Sequence, residues 1–100
     1  MDINLLMRQA QKMQKDMEKA QKALEETLFE IESAGGAIKI SIYGNRKIEK
    51  IDIDKDAIDP DDKEMLEDML KVALNEASAK IDAETAKIQA KMTNGMRMPF

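Results

Sequence analysis

The sequence contains neither cysteine nor histidine, and these two absences narrow its possible chemistry. Without cysteine the chain has no disulfide and no thiol nucleophile, which suits a reducing compartment such as the cytoplasm. Without histidine it lacks the commonest general base and most zinc ligand sets. The serines Ser33, Ser41 and Ser78 have no evident activating partner. We therefore predict a protein that is not an enzyme and that binds no cofactor.

Aromatic residues and long apolar runs are also scarce. Phe29, Tyr43 and Phe100 are the only aromatic residues among 100, so a single domain over residues 1–100 has a thin core. No apolar run approaches the roughly 18 residues of a membrane span, and no signal-peptide pattern appears. We expect a cytoplasmic protein with no membrane partner and no small-molecule substrate. Because a thin core leaves apolar surface uncovered in a monomer, we expect a homodimer.

A seven-residue apolar repeat runs through the first third of the chain. One heptad position is occupied by Ile3, Ala10, Met17, Leu24 and Ile31. The position three residues later is occupied by Leu6, Met13, Ala20 and Thr27. This spacing predicts a helix over about residues 3–33 with one narrow apolar seam, which needs a second helix to cover it. Gly35–Gly36 supplies a left-handed turn that would end this helix.

The opposite face of the same predicted helix carries five basic side chains, which we call the basic row: Arg8, Lys12, Lys15, Lys19 and Lys22. The formal net charge of the whole chain is −4, but the excess acid lies in its central segments. A row of lysines on a helix usually keeps that helix soluble. The same row also suits a polyanion such as DNA, and the sequence leaves both interpretations open.

The middle of the chain predicts an antiparallel β-hairpin. Isoleucines alternate with other residues over about 37–43, Gly44–Asn45 forms a tight turn, and a second strand covers about 47–54. The spacing of the later isoleucines is out of phase, so we predict either a bulge near Glu49–Lys50 or burial of this strand on both faces. The isoleucines either cover the helices or face a second copy. The predicted dimer interface comprises Ile38, Ile40, Ile42, Ile48, Ile51 and Ile53.

A second helix is predicted over about residues 60–93, followed by a short apolar tail at 94–100. Asp59 would cap this helix and Pro60 would occupy its first position. Aspartates at 52, 54 and 56 have the spacing of a calcium loop, but Ala57 and Lys63 stand where that loop needs glycine and glutamate. We therefore predict no metal site.

Five segments, read in order, resemble the YbaB/EbfC family of bacterial nucleoid-associated proteins. They are LMRQAQKMQ at 6–14, GGAIKISIYG at 35–44, IDID at 51–54, DKEMLEDML at 62–70 and the ending at 95–100. The resemblance implies an α+β fold: a long helix, an antiparallel hairpin and a long helix, with a short third strand left open. It also implies a tweezer-like homodimer with a central sheet and projecting helices.

The function that this resemblance implies is binding of double-stranded DNA in the nucleoid, with a role in DNA organisation or gene regulation. The positions that would inherit the contact with DNA are the basic row and Lys80, Lys87 and Lys91 on the last helix. A competing interpretation is a chaperone-like interaction module with prefoldin-type arms. It is favoured by apolar residues near the predicted helix tips, namely Leu5, Leu6, Met7, Met92, Met96, Met98 and Phe100.

Overall fold

The computed structural model describes residues 2–95 and has the predicted α+β order of elements. A first helix, one strand and a hairpin are followed by a second, longer helix. The elements are α1 (Ile3–Glu26), β1 (Leu28–Ser33), β2 (Ile38–Tyr43), β3 (Ile48–Ile53) and α2 (Lys63–Gly95). Short 3-10 turns lie at Ala34–Gly36 and Lys55–Ala57. The fold class is confirmed, and the third strand that the sequence left open is present as β1. Of the tail predicted at 94–100, residues 94 and 95 belong to α2, and residues 96–100 lie outside the described residues.

The first helix is shorter than predicted, because it ends at Glu26 rather than near residue 33. Thr27 closes it: its N–H donates to the Leu24 carbonyl oxygen over 3.0 Å, and its Oγ1 hydroxyl donates to the Ala23 carbonyl oxygen over 2.7 Å. The next six residues alternate between exposed and more buried side chains and form β1. The glycines that were predicted to end the helix instead turn the chain from β1 into β2, with φ of 66° at Gly35.

The three strands form one antiparallel sheet in the order β1-β2-β3. Directly paired residues share a face of a sheet, so the register shows which side chains lie together. On one face of the sheet, three rows of paired residues cross the strands, and their side chains are apolar or small. The rows are Phe29, Ile42 and Ile48; Ile31, Ile40 and Ile51; and Ser33, Ile38 and Ile53. Ser41 pairs with Lys50 and Ile42 with Ile48, which leaves Glu49 as the extra residue. The predicted bulge is thus confirmed.

Helix α2 covers this apolar face across β1 and β2. Its small residues Ala73 and Ala77 are fully buried and let the helix lie close to the sheet. They pack with Ile81 against the three isoleucines of β2, Ile38, Ile40 and Ile42, which are 0%, 1% and 5% exposed. Of the two roles that the sequence left open for the isoleucines, these three have the first, because a helix of their own chain buries them. Their role is the core of the single chain.

The second helix begins at Lys63, three residues later than predicted. Asp59 does not cap it: its carboxylate accepts the Asp61 N–H over 2.9 Å, within a turn that the Asp62 N–H closes on the Asp59 carbonyl. The side chain that accepts from the first turn of α2 is Asp62, whose Oδ1 accepts the Met65 N–H over 3.2 Å. Any of the aspartates in this acidic stretch has a carboxylate that can accept a hydrogen bond from the first turn of a helix. Asp62, which directly precedes α2, is the one that does so.

Both helices extend beyond the sheet on the side of the β2–β3 turn and give the molecule extents of 71 × 27 × 16 Å. Met17 and Gln21 of α1 line one open groove with Ile88 of α2, so the helices lie side by side there. They run in opposite directions, because α1 ends at the sheet and α2 leaves it. We call residues 3–23 of α1 together with residues 82–95 of α2 the arm. Over the described ranges, neither helix has an apolar stretch long enough to cross a membrane.

Replacement of Gly44 by alanine should destabilise the fold by about 3 kcal/mol, because overpacking displaces backbone. A Cβ on Gly44 would lie 1.9 Å from the Leu24 carbonyl oxygen. Urea denaturation measures the loss. Gly35→Ala is the matched control, since a Cβ added at Gly35 would meet no atom within 4 Å apart from its chain neighbours. The positive φ of Gly35 is then the single source of strain in this control. It should cost about 1 kcal/mol. Equal losses for the two variants would contradict the close approach at Gly44.

Candidate nucleic-acid interface

The basic row lies on the outer face of the arm, except that Lys22 also lines the open groove between the two helices. Leu24 is buried and Met13 and Ala20 are half-buried, which identifies the side of α1 that packs. At about 100° per residue, the basic row lies across the helix axis from these residues. All five basic side chains are exposed, and within residues 2–95 none of them forms an ion pair. The predicted cationic face therefore exists as a surface about 21 Å long, from Arg8 to Lys22 at 1.5 Å per residue.

The lysines of α2 are placed differently from those of α1. Lys80 Nζ lies 3.0 Å from Glu84 Oε1, and Lys87 Nζ lies 3.2 Å from the same oxygen. Lys80, Lys87 and Glu84 together carry a net charge of about +1, whereas the two lysines without Glu84 would carry +2. Lys91 is exposed and has no ion pair with the described residues. Two of the three α2 positions are thus partly neutralised by a neighbour on their own helix.

The two lysines also shift the titration of their shared partner. Hydrogen bonds from Lys80, and then from Lys87, lower the pKa of the Glu84 carboxyl below its ordinary value of 4.5. A carboxylate that is hydrogen-bonded in its charged form resists protonation. Glu84 therefore stays charged at neutral pH and holds both lysines on the surface of α2.

Acidic side chains collect at the opposite end of the molecule from the arm. The 59–68 segment carries a single basic residue, Lys63, and six acidic ones: Asp59, Asp61, Asp62, Glu64, Glu67 and Asp68. Asp68 lines a groove with Ser33 and Ala34, at the end of β1 that is remote from the β2–β3 turn. Charge is therefore separated along the length of the molecule, with basic side chains on the arm and acidic side chains beyond the far end of the sheet.

The β2–β3 turn, residues 44–47, joins both helices to the sheet, and we call it the joint. The Gly44 N–H donates to the Thr27 carbonyl over 3.0 Å, and the Asn45 N–H donates to the Glu25 carbonyl over 3.3 Å. The Arg46 guanidinium donates to Ser78 Oγ over 2.8 Å and forms an ion pair with Asp82. Arg46 was not among the residues that the sequence patterns predicted to be functional. Ser78 and Asp82 are four apart on α2, but their partner lies more than 30 residues away.

The apolar residues at the outer end of α1 remain uncovered by the described chain. Ile3 is 69% exposed and Met7 is 56% exposed, and Leu5 and Leu6 are also exposed. The other half of the predicted apolar tip, Met96, Met98 and Phe100, lies outside the described residues. Asp54, from the spacing that resembles a calcium loop, uses its Oδ1 to accept the Asp56 N–H over 3.0 Å, as a local turn requires.

Comparison with known proteins decides the family. The model of the YbaB/EbfC DNA-binding family matches residues 1–96. The chain belongs to this family. The YbaB/EbfC match confirms the resemblance that the five sequence segments indicated. It also agrees with the absence of an evident catalytic group, since this is a DNA-binding family and not a family of enzymes.

Similar sequences and one solved structure extend this result. The YbaB/EbfC chain is 46% identical over 99 residues to a nucleoid-associated protein of Clostridium novyi, covering 99% of this chain and 87% of the relative. It is 47% identical over 95 residues to one of Ruminiclostridium cellulolyticum, covering 95% and 83%. The crystal structure of the uncharacterized protein HP0035 from Helicobacter pylori has a TM-score of 0.74 at 22% identity, covering 93% and 98%. This last likeness supports the fold alone.

The Glu84 carboxyl should titrate below pH 4.5 in carbon-detected NMR, because Lys80 and Lys87 hydrogen-bond to its charged form. Since the folded-state pKa is lowered, the carboxylate stabilises α2 above the ordinary pKa. That contribution is lost as the pH falls through the lowered value. In the double variant Lys80→Gln/Lys87→Gln the pKa should return toward 4.5. A wild-type midpoint already at 4.5 would contradict the ion pairs.

Proposed function

We propose that this chain is a nucleoid-associated protein that binds double-stranded DNA as a homodimer, mainly through phosphate contacts. The observation that carries this proposal is the basic row on the outer face of the arm, exposed and without ion pairs among the described residues. Membership in the YbaB/EbfC DNA-binding family and the names of the relatives support the same function. The protein acts in the cytoplasm on the nucleoid, in DNA organisation or gene regulation, and has no catalytic role.

Phosphate contacts fit the side chains of the basic row better than base readout does. Four of its five members are lysines, which act as flexible point charges and carry little directional information. A row about 21 Å long spans about six base pairs at 3.4 Å per pair. Contacts of this kind position a protein on the duplex without specifying a sequence. The proposed binding is therefore tolerant of sequence and sensitive to salt.

The α2 lysines are proposed as secondary contacts. Lys91 is exposed near the end of the described arm, and it contributes a full charge. Lys80 and Lys87 share the Glu84 carboxylate, so a phosphate must compete with that carboxylate for them. The basic row supplies most of the attraction for this reason.

A homodimer is supported by the apolar surface that α2 leaves open on the sheet. Ile48 and Ile51 of β3 lie on the same face as the core, beside the strands that α2 covers. They are 41% and 42% exposed, and Leu74 on α2 is 40% exposed. Ile53 is half-buried. Ile48, Ile51 and Ile53 are the part of the predicted interface that remains available, and a second copy that covers them together with Leu74 would remove apolar surface from water.

Exposed residues at the outer end of α1 favour one second candidate function, an interaction module for apolar protein segments. Ile3, Leu5, Leu6 and Met7 would supply the contact. This function predicts that an unfolded client protein is kept from aggregating, and that the effect is lost when Leu6 and Met7 become serine. DNA binding does not need these two side chains.

Binding of a duplex should fall steeply with salt, with a slope of about −5 in log K against log salt if each of two arms neutralises about three phosphates. Fluorescence anisotropy with a labelled duplex measures this slope. The triple variant Lys12→Gln/Lys15→Gln/Lys19→Gln should bind at least about tenfold more weakly with a slope closer to zero.

A matched control removes the same charge elsewhere, with Lys50→Gln, Lys55→Gln and Lys63→Gln. These lysines are exposed and lie outside the basic row, so the control should keep the wild-type slope and lose only a little affinity. Equal losses in the two triple variants would contradict a defined interface on α1. Wild-type affinity that is independent of salt would contradict phosphate binding altogether.

Ile51→Lys should give a folded monomer, because this side chain is 42% exposed and the substitution places a charge in the proposed dimer surface. Light scattering measures the mass and circular dichroism measures the helix content. Ile40→Lys is the contrasting variant: it buries a charge where the native side chain is 1% exposed, and it should unfold the chain. A dimer that survives Ile51→Lys would place the interface elsewhere.

A further inference from the structure

The joint holds the arm to the sheet. The ion pair between Arg46 of the joint and Asp82 of α2 has no role in the function proposed above. We propose that Arg46 is a positioning residue. By holding Asp82 it fixes the direction in which the arm leaves the sheet, and so presents the basic row to the duplex at a set angle. This inference rests on the proposed binding of DNA.

The place of the bond on α2 supports this role. Ile81 is 1% exposed and is the last buried residue of α2 against the sheet among those described. Asp82, the next residue, is the first of the arm and forms the ion pair with Arg46. The bond therefore sits where α2 passes the end of the sheet, beyond which α1 is the described element that lies beside it. The remaining 13 residues of α2 extend about 20 Å at 1.5 Å per residue, so a rotation of about 10° at Asp82 moves the tip by about 3 Å.

The backbone of Arg46 supplies a second reason. Its φ is 74°, in the left-handed region where glycine or asparagine is more easily accommodated than arginine. An arginine at such a position has a reason to be there only through its side chain, and that side chain reaches residues 32 and 36 positions later. The turn's own hydrogen bond, from the Arg46 N–H to the Tyr43 carbonyl over 2.8 Å, holds the backbone there, and non-glycine residues in this region cluster at functional positions.

The two helices are attached to the joint in different ways. Helix α1 is held by backbone hydrogen bonds, from Gly44 N–H to the Thr27 carbonyl and from Asn45 N–H to the Glu25 carbonyl. Helix α2 is held at this point by the Arg46 side chain. The attachment of α2 can therefore be released by substitution while α1 stays in place.

The exposure of the bond separates positioning from stability. The Arg46 and Asp82 side chains are 48% and 64% exposed, and such ion pairs contribute little to the free energy of unfolding. Removing the bond should leave the urea midpoint nearly unchanged. Loss of the bond should instead change the angle of the arm and weaken DNA binding. An arm that moves in the free protein must be ordered when DNA binds, and this ordering costs binding free energy.

Asp82→Asn distinguishes positioning from simple electrostatics, because the two accounts predict opposite signs. The substitution removes a negative charge and frees Arg46 for phosphate, so electrostatics alone predicts tighter binding. Loss of positioning predicts weaker binding, by about threefold to tenfold. Arg46→Gly is the companion variant, since it relieves the left-handed backbone and deletes the bond. Glu18→Gln is the charge-matched control on the arm and should bind DNA slightly more tightly than wild type.

The arm angle is measured separately, without DNA. Because the chain has no native cysteine, spin labels can be placed at Lys39→Cys on β2 and Ala90→Cys on α2, in chains diluted with unlabelled protein. Pulsed electron paramagnetic resonance then gives the distribution of distances between sheet and arm. It should be narrow in the wild type and in Glu18→Gln, and broad in Asp82→Asn and Arg46→Gly.

The proposal requires both results in Asp82→Asn and Arg46→Gly: a broadened distance distribution and weaker DNA binding, at a urea midpoint that is not lowered. Asp82→Asn that binds as tightly as Glu18→Gln overturns it, and so does weaker binding with an unchanged distribution. A lowered urea midpoint in both variants assigns the bond to folding and also overturns it. If the wild type does not bind DNA, the proposed function fails, while the distance measurement still decides whether Arg46 fixes the arm.

Discussion

The close packing of two small residues of α2 on the isoleucines of β2 is the contact on which the rest of the structure depends. Ala73 and Ala77 have no exposed surface, and Ile38 and Ile40 beneath them have almost none. Larger side chains at the alanine positions would lift α2 off the sheet. This contact fixes the direction in which α2 crosses β1 and β2. It therefore also determines where the helix passes the end of the sheet. The arm, the groove beside α1 and the uncovered isoleucines of β3 all follow from that line.

Much of this fold could be predicted from short-range patterns, and the errors arose where two patterns overlap. The alternating isoleucines gave both strands of the hairpin, and their change of phase located the bulge at Glu49. Ile31 satisfies the heptad repeat and also the six-residue alternation over 28–33. The alternation wins, because β1 pairs with β2 and shares the cover that α2 provides. A pairing with a distant strand cannot be read from local spacing.

The candidate site shows the same division between local and distant information. The basic row could be predicted, since it needs only a helix and the spacing of its residues. The sharing of Glu84 by Lys80 and Lys87 was accessible in principle, because both lie within one turn of it. Arg46 was not accessible, since its partners are 32 and 36 residues away and nothing in the turn itself points to them. The isoleucines of β2 could be predicted to be buried, but the sequence left open whether α2 or a second copy covers them, because alternation identifies a buried face without identifying what buries it.

The separation of acids and bases along the molecule has a consequence for long-range encounter. The molecule is 71 Å long, whereas the Debye length at physiological ionic strength is about 8 Å. A polyanion near the outer end of α1 therefore experiences the local potential of the arm and almost none of the acidic segment around residue 62. The isoelectric point, about 4.9, averages over distances that the solvent screens. The permanent dipole, rather than the total charge, governs how such a molecule is oriented before it touches its target.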